Sequence, residues 1–188
     1  LLLSLILTIL MLLFIRNGSS FRIVETLPGF TGRLPFKLET GYIGVGENEE
    51  TQLFYYFVES ERDPDTDPVV IWLTGGPGCT GLTALVYEIG PVTIVGNGSM
   101  PYLELRSYSW TKIASIIFID SPVVTGFSYS TRRIDYRLSD SDTTKNNYEF
   151  IRKWLLRHER FINNTFFVSG DSYGGKLAAL LALQVARG

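Results

Sequence analysis

Three stretches of this chain are apolar at nearly every position, and they limit the folds open to it more than any other feature. They are "PVVIWLT" from Pro68 to Thr74, "ASIIFID" from Ala114 to Asp120 and "TFFVSG" from Thr165 to Gly170. A strand with one wet face alternates apolar and polar residues, whereas a strand covered on both faces need not. Runs of this kind therefore predict strands inside a mostly parallel sheet with helices flanking it. Between the second and third run lies "SDSDTTKNNYEFIRKWLLRHERFI", where Tyr148, Ile151, Trp154, Leu155, His158 and Ile162 recur at helical spacing behind a Ser or Asp N-cap. Strand, helix and strand in that order predict a βαβ crossover. Upstream, "TQLFYYFVES" from Thr51 to Ser60 is aromatic and β-branched enough for a strand, and the polar "ERDPDTDP" after it makes a turn. The Gly- and Pro-rich "LPGFTGRLPFKLETGYIGVG" before it predicts extended chain and turns. After Ser172 the Ala- and Leu-rich "YGGKLAALLALQVARG" predicts a helix. A single α/β domain over residues 21–188, with its sheet unfinished, accounts for all of these.

The first residues read differently. "LLLSLILTILMLLFI", Leu1 to Ile15, is too short for a comfortable membrane span and is followed by small polar residues. It fits a secretory leader over 1–20, which predicts a secreted or vacuolar product and no stable membrane insertion once the leader is removed; a membrane anchor is the alternative, since a charged region ahead of the apolar run is missing and length alone discriminates weakly. Three Asn-x-Ser/Thr triplets, at Asn17, Asn97 and Asn163, are candidate glycosylation sites in such a compartment. Cys79 is the only cysteine, which in an oxidising compartment predicts a disulfide partner outside these residues. The net charge of −2, with acidic and basic residues interspersed, gives no reason to expect a nucleic-acid partner. No His, Cys and carboxylate cluster stands at ligand spacing, so no metal is expected, and the serine acyl chemistry read below calls for no cofactor. The sequence sets no oligomeric state.

Gly170-Asp171-Ser172-Tyr173-Gly174 satisfies G-x-S-x-G, with an apolar strand before it and a helix after it. That context is what a nucleophile elbow requires: a tight, strained turn that lifts one serine out of the sheet at a helix N-terminus. Acyl transfer by such a serine needs main-chain amides for the oxyanion of the tetrahedral intermediate. Tyr173, the residue after the serine, offers one, and the other is expected from an early Gly-rich loop. "TGGPGCTG" from Thr74 to Gly81, directly after a buried strand, is the candidate. As a phosphate-binding loop it lacks the closing Gly-Lys-Ser/Thr, and a proline takes the place of one amide; a plain tight turn is the structural alternative. In an elbow of this type the acid and the histidine partner follow the serine. Neither type of residue occurs after Ser172, and the only histidine, His158, precedes it on the expected helix, where packing is its expected role. Without a base the serine is a poor nucleophile, so this chain taken alone is expected to be inactive.

"WLTGGPGC", "SYSWTKIASIIFIDSP", "TGFSYS" and "GDSYGG", in that order, resemble the serine carboxypeptidase-like proteins, from about Leu27 to the end of the chain. The resemblance implies an α/β-hydrolase fold, incomplete here, with Ser172 as nucleophile and Gly76 and Tyr173 as the oxyanion-hole amides. In the family's carboxypeptidases an Asn before the glycine pair and a Glu before the serine, backed by a further Glu, hold the free carboxylate of a peptide C-terminus. The matching positions here are Thr74, Asp171 and Glu88, and the first two depart from that pattern. Thr and Asp there resemble the plant acyltransferase branch, which moves acyl groups from glucose esters to alcohols. The partner implied is thus a small-molecule acyl ester or a peptide C-terminus. A non-catalytic short product or binding module of the same fold is the alternative. The family also has Gly where Val124 stands, so a positive φ there is expected to strain or distort the loop.

Overall fold

In a computed structural model, which describes residues 21–96, 101–132 and 139–188, the three apolar runs are neighbouring strands of one sheet. The strands, numbered along the chain, are β1 (Phe21–Val24), β2 (Leu38–Val45), β3 (Thr51–Val58), β4 (Val69–Leu73), β5 (Val92–Val95), β6 (Tyr102–Leu105), β7 (Ser115–Ile119), β8 (Tyr129–Ser130) and β9 (Phe166–Gly170). The main sheet runs β1-β2-β3-β7-β4-β9, with β8 paired to β3, and β5-β6 form a separate hairpin. Strands β7, β4 and β9 are mutually parallel, and β1 to β3 join them antiparallel, so the sheet is mixed.

All five residues of β4 and all five of β7 are buried. Their side chains alternate between two apolar layers, which is why the runs show no polar alternation. Val69, Ile71 and Leu73 face one layer with Ile117, Trp154 and Leu181, on the side of helices α2 (Asp140–Arg157) and α3 (Ser172–Arg187). Val70 and Trp72 face the other with Ile116, Phe118 and Leu85. That second layer is covered by the short helix α1 (Gly81–Thr83), which runs on into a wide turn at Ala84–Glu88, and by Val92 at the start of β5. Fully burying an Ile or Leu side chain is worth about 1.5–3 kcal/mol, so these two layers supply most of what opposes chain entropy.

Helix α2 starts as expected. Ser139 caps it, its Oγ accepting from the Asp142 amide while the Asp142 carboxylate accepts from the Ser139 amide, a complete capping box. It stops at Arg157, so His158 is the C-cap and Ile162 lies beyond the helix and is exposed.

Register decides where the chemistry gathers. Leu73 pairs with Ile119 on one side and with Gly170 on the other, so the carboxyl ends of β7, β4 and β9 lie level. The loops that leave them, from Thr74, Asp120 and Asp171, therefore emerge at one edge, where open α/β sheets place their ligands. The leader expected at 1–20 and the triplets at Asn17 and Asn97 lie outside the described residues; Asn163 is described and exposed. Among the described residues no helix is long and apolar enough to cross a membrane.

Candidate active site

Ser172 is the first residue of α3 and has φ +48°, a left-handed conformation that a non-glycine residue adopts only under constraint. The constraint comes from its neighbours. A Cβ on Gly170 would stand 2.5 Å from the Leu73 carbonyl oxygen, and one on Gly174 only 1.9 Å from the same atom. The strand and helix on either side of the serine thus lie directly against the end of β4, and only glycine fits at both positions. The serine itself is left exposed at the surface.

The Gly-rich loop packs against this turn. A Cβ on Gly75 would be 2.8 Å from Ser172 Cβ and 3.2 Å from the Tyr173 nitrogen. The Gly75 amide donates to Asp171 Oδ1 at 2.8 Å. Asp171 is the N-cap residue of α3, yet its carboxylate does not cap that helix, because it reaches across to Gly75 instead. The Tyr173 amide, one of the helix-start donors with no partner inside the helix, is left open as a result. Gly76, the next residue along the loop, is exposed, with φ +114°, and its amide makes no hydrogen bond among the described residues. Gly76, next in the chain to Gly75, and Tyr173, next to Ser172, thus carry two main-chain amides for which no hydrogen-bond partner is found among the described residues.

Thr74 directly precedes the Gly75 that binds Asp171, and Glu88 lies close enough to Asp171 for their charges to interact. Thr74 is buried, and its hydroxyl has no partner among the described residues. Glu88, at the end of the wide turn after α1, has its carboxyl pushed above the usual range, first by burial and then by repulsion from Asp171. Trp72 opposes that rise only weakly, since its indole N–H makes no hydrogen bond of normal geometry. Next to Tyr173 a cavity of about 260 Å³ is lined by Gly78, Val124, Thr125, Tyr173 and Leu177. The Tyr173 ring is fixed there: its hydroxyl donates to Asp140 Oδ1 at 2.5 Å, and Lys176, paired with Asp140 at 2.6 Å, lies 5.0 Å from the ring centre.

His158 has no part in this edge. Its ring stacks on Trp154 with centroids 4.1 Å apart, Nδ1 meets the Trp154 carbonyl at 2.9 Å, and Nε2 meets Glu39 Oε1 at 2.8 Å. Glu39 is on β2, four strand positions from β9, or roughly 19 Å at the usual strand spacing. Cys79 is free and exposed in the Gly-rich loop. The residue that sequence reasoning missed is Asp120, completely buried at the end of β7. Its signal was a lone acid closing an otherwise apolar run.

Comparison with known proteins bears on the family and the fold. A family model described as serine carboxypeptidase matches residues 28–188. Serine carboxypeptidase-like 13 of Arabidopsis thaliana is 50% identical over 99% of this chain and 44% of its own length. Serine carboxypeptidase-like 1 of the same plant is 52% identical over 92% of this chain and 40% of its own. The chain therefore spans under half the length of these relatives. Among solved structures, a prohormone-processing carboxypeptidase from Saccharomyces cerevisiae superposes with a TM-score of 0.67 at 24% identity, over 81% of this chain and 34% of that one. At that identity the likeness bears on the fold, which is an incomplete α/β-hydrolase fold with a mixed sheet and flanking helices.

Proposed function

The chain belongs to the serine carboxypeptidase family, and from that premise we propose that it carries the nucleophile half of a site for acyl transfer through a serine ester. One observation carries the reading: Ser172 stands exposed at φ +48° at the start of α3, with the Gly75-Gly76 segment against it. In this reading Ser172 Oγ attacks the carbonyl carbon of an acyl ester or peptide, and the Gly76 and Tyr173 amides receive the negative charge that develops on the carbonyl oxygen. The leaving group departs with a proton, and water or an alcohol then takes the acyl group from the serine. A base has to accept the serine proton, and His158, held by Glu39 across the sheet, is not that base.

Thr74 and Asp171 favour an alcohol as the acceptor, with an acyl ester of glucose as donor. Asp171 is already occupied by the Gly75 amide, and a threonine hydroxyl offers less to a substrate carboxylate than the family's Asn. A second reading, recognition of a peptide C-terminus, is favoured by Glu88, which keeps the acid of the family's carboxypeptidases at that position and lies close enough to Asp171 for their charges to interact. The leader-like 1–15 and the exposed Asn163 triplet support a route through the secretory pathway.

The test uses the whole natural protein, recovered from the secretory fraction and treated with a fluorophosphonate. Covalent labelling that Ser172→Ala abolishes is expected, and equal labelling of the alanine variant overturns the assignment. Feeding the labelling-competent protein a glucose ester with an alcohol, and separately a peptide, decides between the two acceptors by product. A folded protein that never labels belongs instead to the non-catalytic alternative.

A further inference from the structure

The Gly-rich loop is held at both ends by carboxylates, and only the one at its start, Asp171, belongs to the serine motif. The other is Asp120. Its Oδ1 accepts from Thr80 Oγ1 at 2.6 Å and from the Gly81 amide at 2.8 Å, and its Oδ2 accepts from the Phe127 amide at 2.8 Å. Between the two anchors, the Cys79 amide donates to the Gly75 carbonyl at 3.2 Å and closes the loop on itself. The Gly76 amide therefore sits on an arch with Asp171 at one foot and Asp120 at the other.

The same carboxylate organises a second loop. A Cβ on Gly126 would meet Asp120 Oδ2 at 2.1 Å, so the 121–128 segment is folded directly onto it. Ser128 Oγ donates to the Asp120 carbonyl at 2.6 Å and accepts from the Phe54 amide at 2.8 Å, tying the segment to β3. Val124 and Thr125 of this segment form one wall of the cavity beside Tyr173. Two walls of the site thus meet at one buried side chain.

We infer that Asp120 is a positioning residue for the site: through Thr80, Gly81 and Phe127 its carboxylate fixes the Gly76 amide and the cavity wall relative to Ser172. All three partners donate hydrogen bonds, so the arrangement calls for the ionised acid, although burial drives its pKa upward against them. Packing alone does not require that charge. Orientation of two separate loops does, because each oxygen of one rigid, planar group serves a different loop.

The consequence for rate rests on the acyl-transfer reading above, so the test has two arms on the whole natural protein. The variants are Asp120→Asn, Thr80→Val and Thr80→Ser. Thr80→Val removes the hydroxyl that donates to Asp120 and accepts from the Leu82 amide, and Thr80→Ser keeps it. In the first arm, amide hydrogen exchange is expected to speed up on the order of tenfold or more at 75–81 in Thr80→Val and at both 75–81 and 121–128 in Asp120→Asn, with Thr80→Ser near wild type. In the second, kcat is expected to fall on the order of tenfold to a hundredfold in Thr80→Val and Asp120→Asn with KM little changed, as when a transition-state donor is misplaced, and Thr80→Ser restores it. Unchanged loop exchange in both Thr80→Val and Asp120→Asn overturns the inference, as does a kcat that stays at the wild-type value in both. If the wild-type protein shows no Ser172 chemistry, the acyl-transfer reading fails, and the exchange arm still decides whether Asp120 holds the loops.

Discussion

Two residues without glycine's freedom occupy positive φ at this edge, and they differ in what the strain achieves. At Ser172 the conformation aims the hydroxyl outward, and the close approach of Gly170 and Gly174 to Leu73 enforces it. At Val124, where the family has Gly, φ is +68°, yet the loop keeps its hydrogen bonds: the Val124 amide donates to the Ser128 carbonyl at 3.1 Å and the Thr125 amide to the Pro122 carbonyl at 3.1 Å. The β-branched side chain is 54% exposed, so little burial compensates its strain. Val124→Asn should therefore raise unfolding stability by about 1 kcal/mol, since Asn tolerates this region without glycine's entropy cost. A urea titration checks it, and a lowered midpoint would show that the Val124 contacts outweigh the strain. The tight strand-to-helix turn at Ser172 was legible in the sequence because sterics restrict which residues can flank a residue held in that conformation. Asp120 was not, because its donors at Thr80 and Gly81 lie 40 and 39 residues away and only the folded register brings them together.

Elements buried on both faces were the most readable ones. The runs that became β4 and β7 have one environment on each side, so every position reports burial. The β5-β6 hairpin gave no such signal, with short strands and Ile94, Tyr102 and Leu105 all exposed. Helix α2 was read correctly at its start, where the capping box is local, and too long at its end. There His158 is drawn toward Glu39 on β2 and leaves helical geometry at φ −125°, ψ 54°. The turn between β3 and β4, at the opposite end of the sheet from Ser172, carries a testable electrostatic load. Asp67 is buried there and accepts from Arg62, from Ser60 Oγ at 2.6 Å and from the Asp63 amide at 3.1 Å. These bonds, led by Arg62, lower its pKa from 3.8 to about 2 against the effect of burial. A carboxyl with a depressed folded pKa contributes stability that is present above its unfolded value and lost as pH falls toward the folded one. Stability should hence decline between about pH 4 and pH 2, and Asp67→Asn should flatten that part of the profile while lowering stability at neutral pH. Chemical denaturation at a series of pH values reads both effects; an unchanged acid slope in Asp67→Asn would assign it to other groups.

At the scale of the molecule, the level carboxyl ends of β7, β4 and β9 bring the loops of the candidate site to one edge, and the same strand order leaves β9 with a single neighbour among the described residues. Its free edge carries unpaired backbone groups, which promote pairing with another chain unless charge or cover prevents it. Neither is evident along β9, whose sequence is FFVSG, and Phe167 is 53% exposed. Phe167 lines a groove of about 310 Å³ with Trp110 and Ile113, both also exposed, so an apolar surface adjoins the open edge. Residues 21–188 produced as an isolated segment should consequently self-associate, with a weight-average mass that rises with concentration in sedimentation velocity. Phe167→Lys places a charge on the edge and should shift the segment toward monomer, because burying an unpaired lysine there costs more than the apolar contact returns. The exposed face of α3, with Leu180, Leu183 and Val185, offers the competing surface on the other side of the sheet. If Leu183→Lys restores the monomer while Phe167→Lys leaves association unchanged, the helix face and not the strand edge drives it.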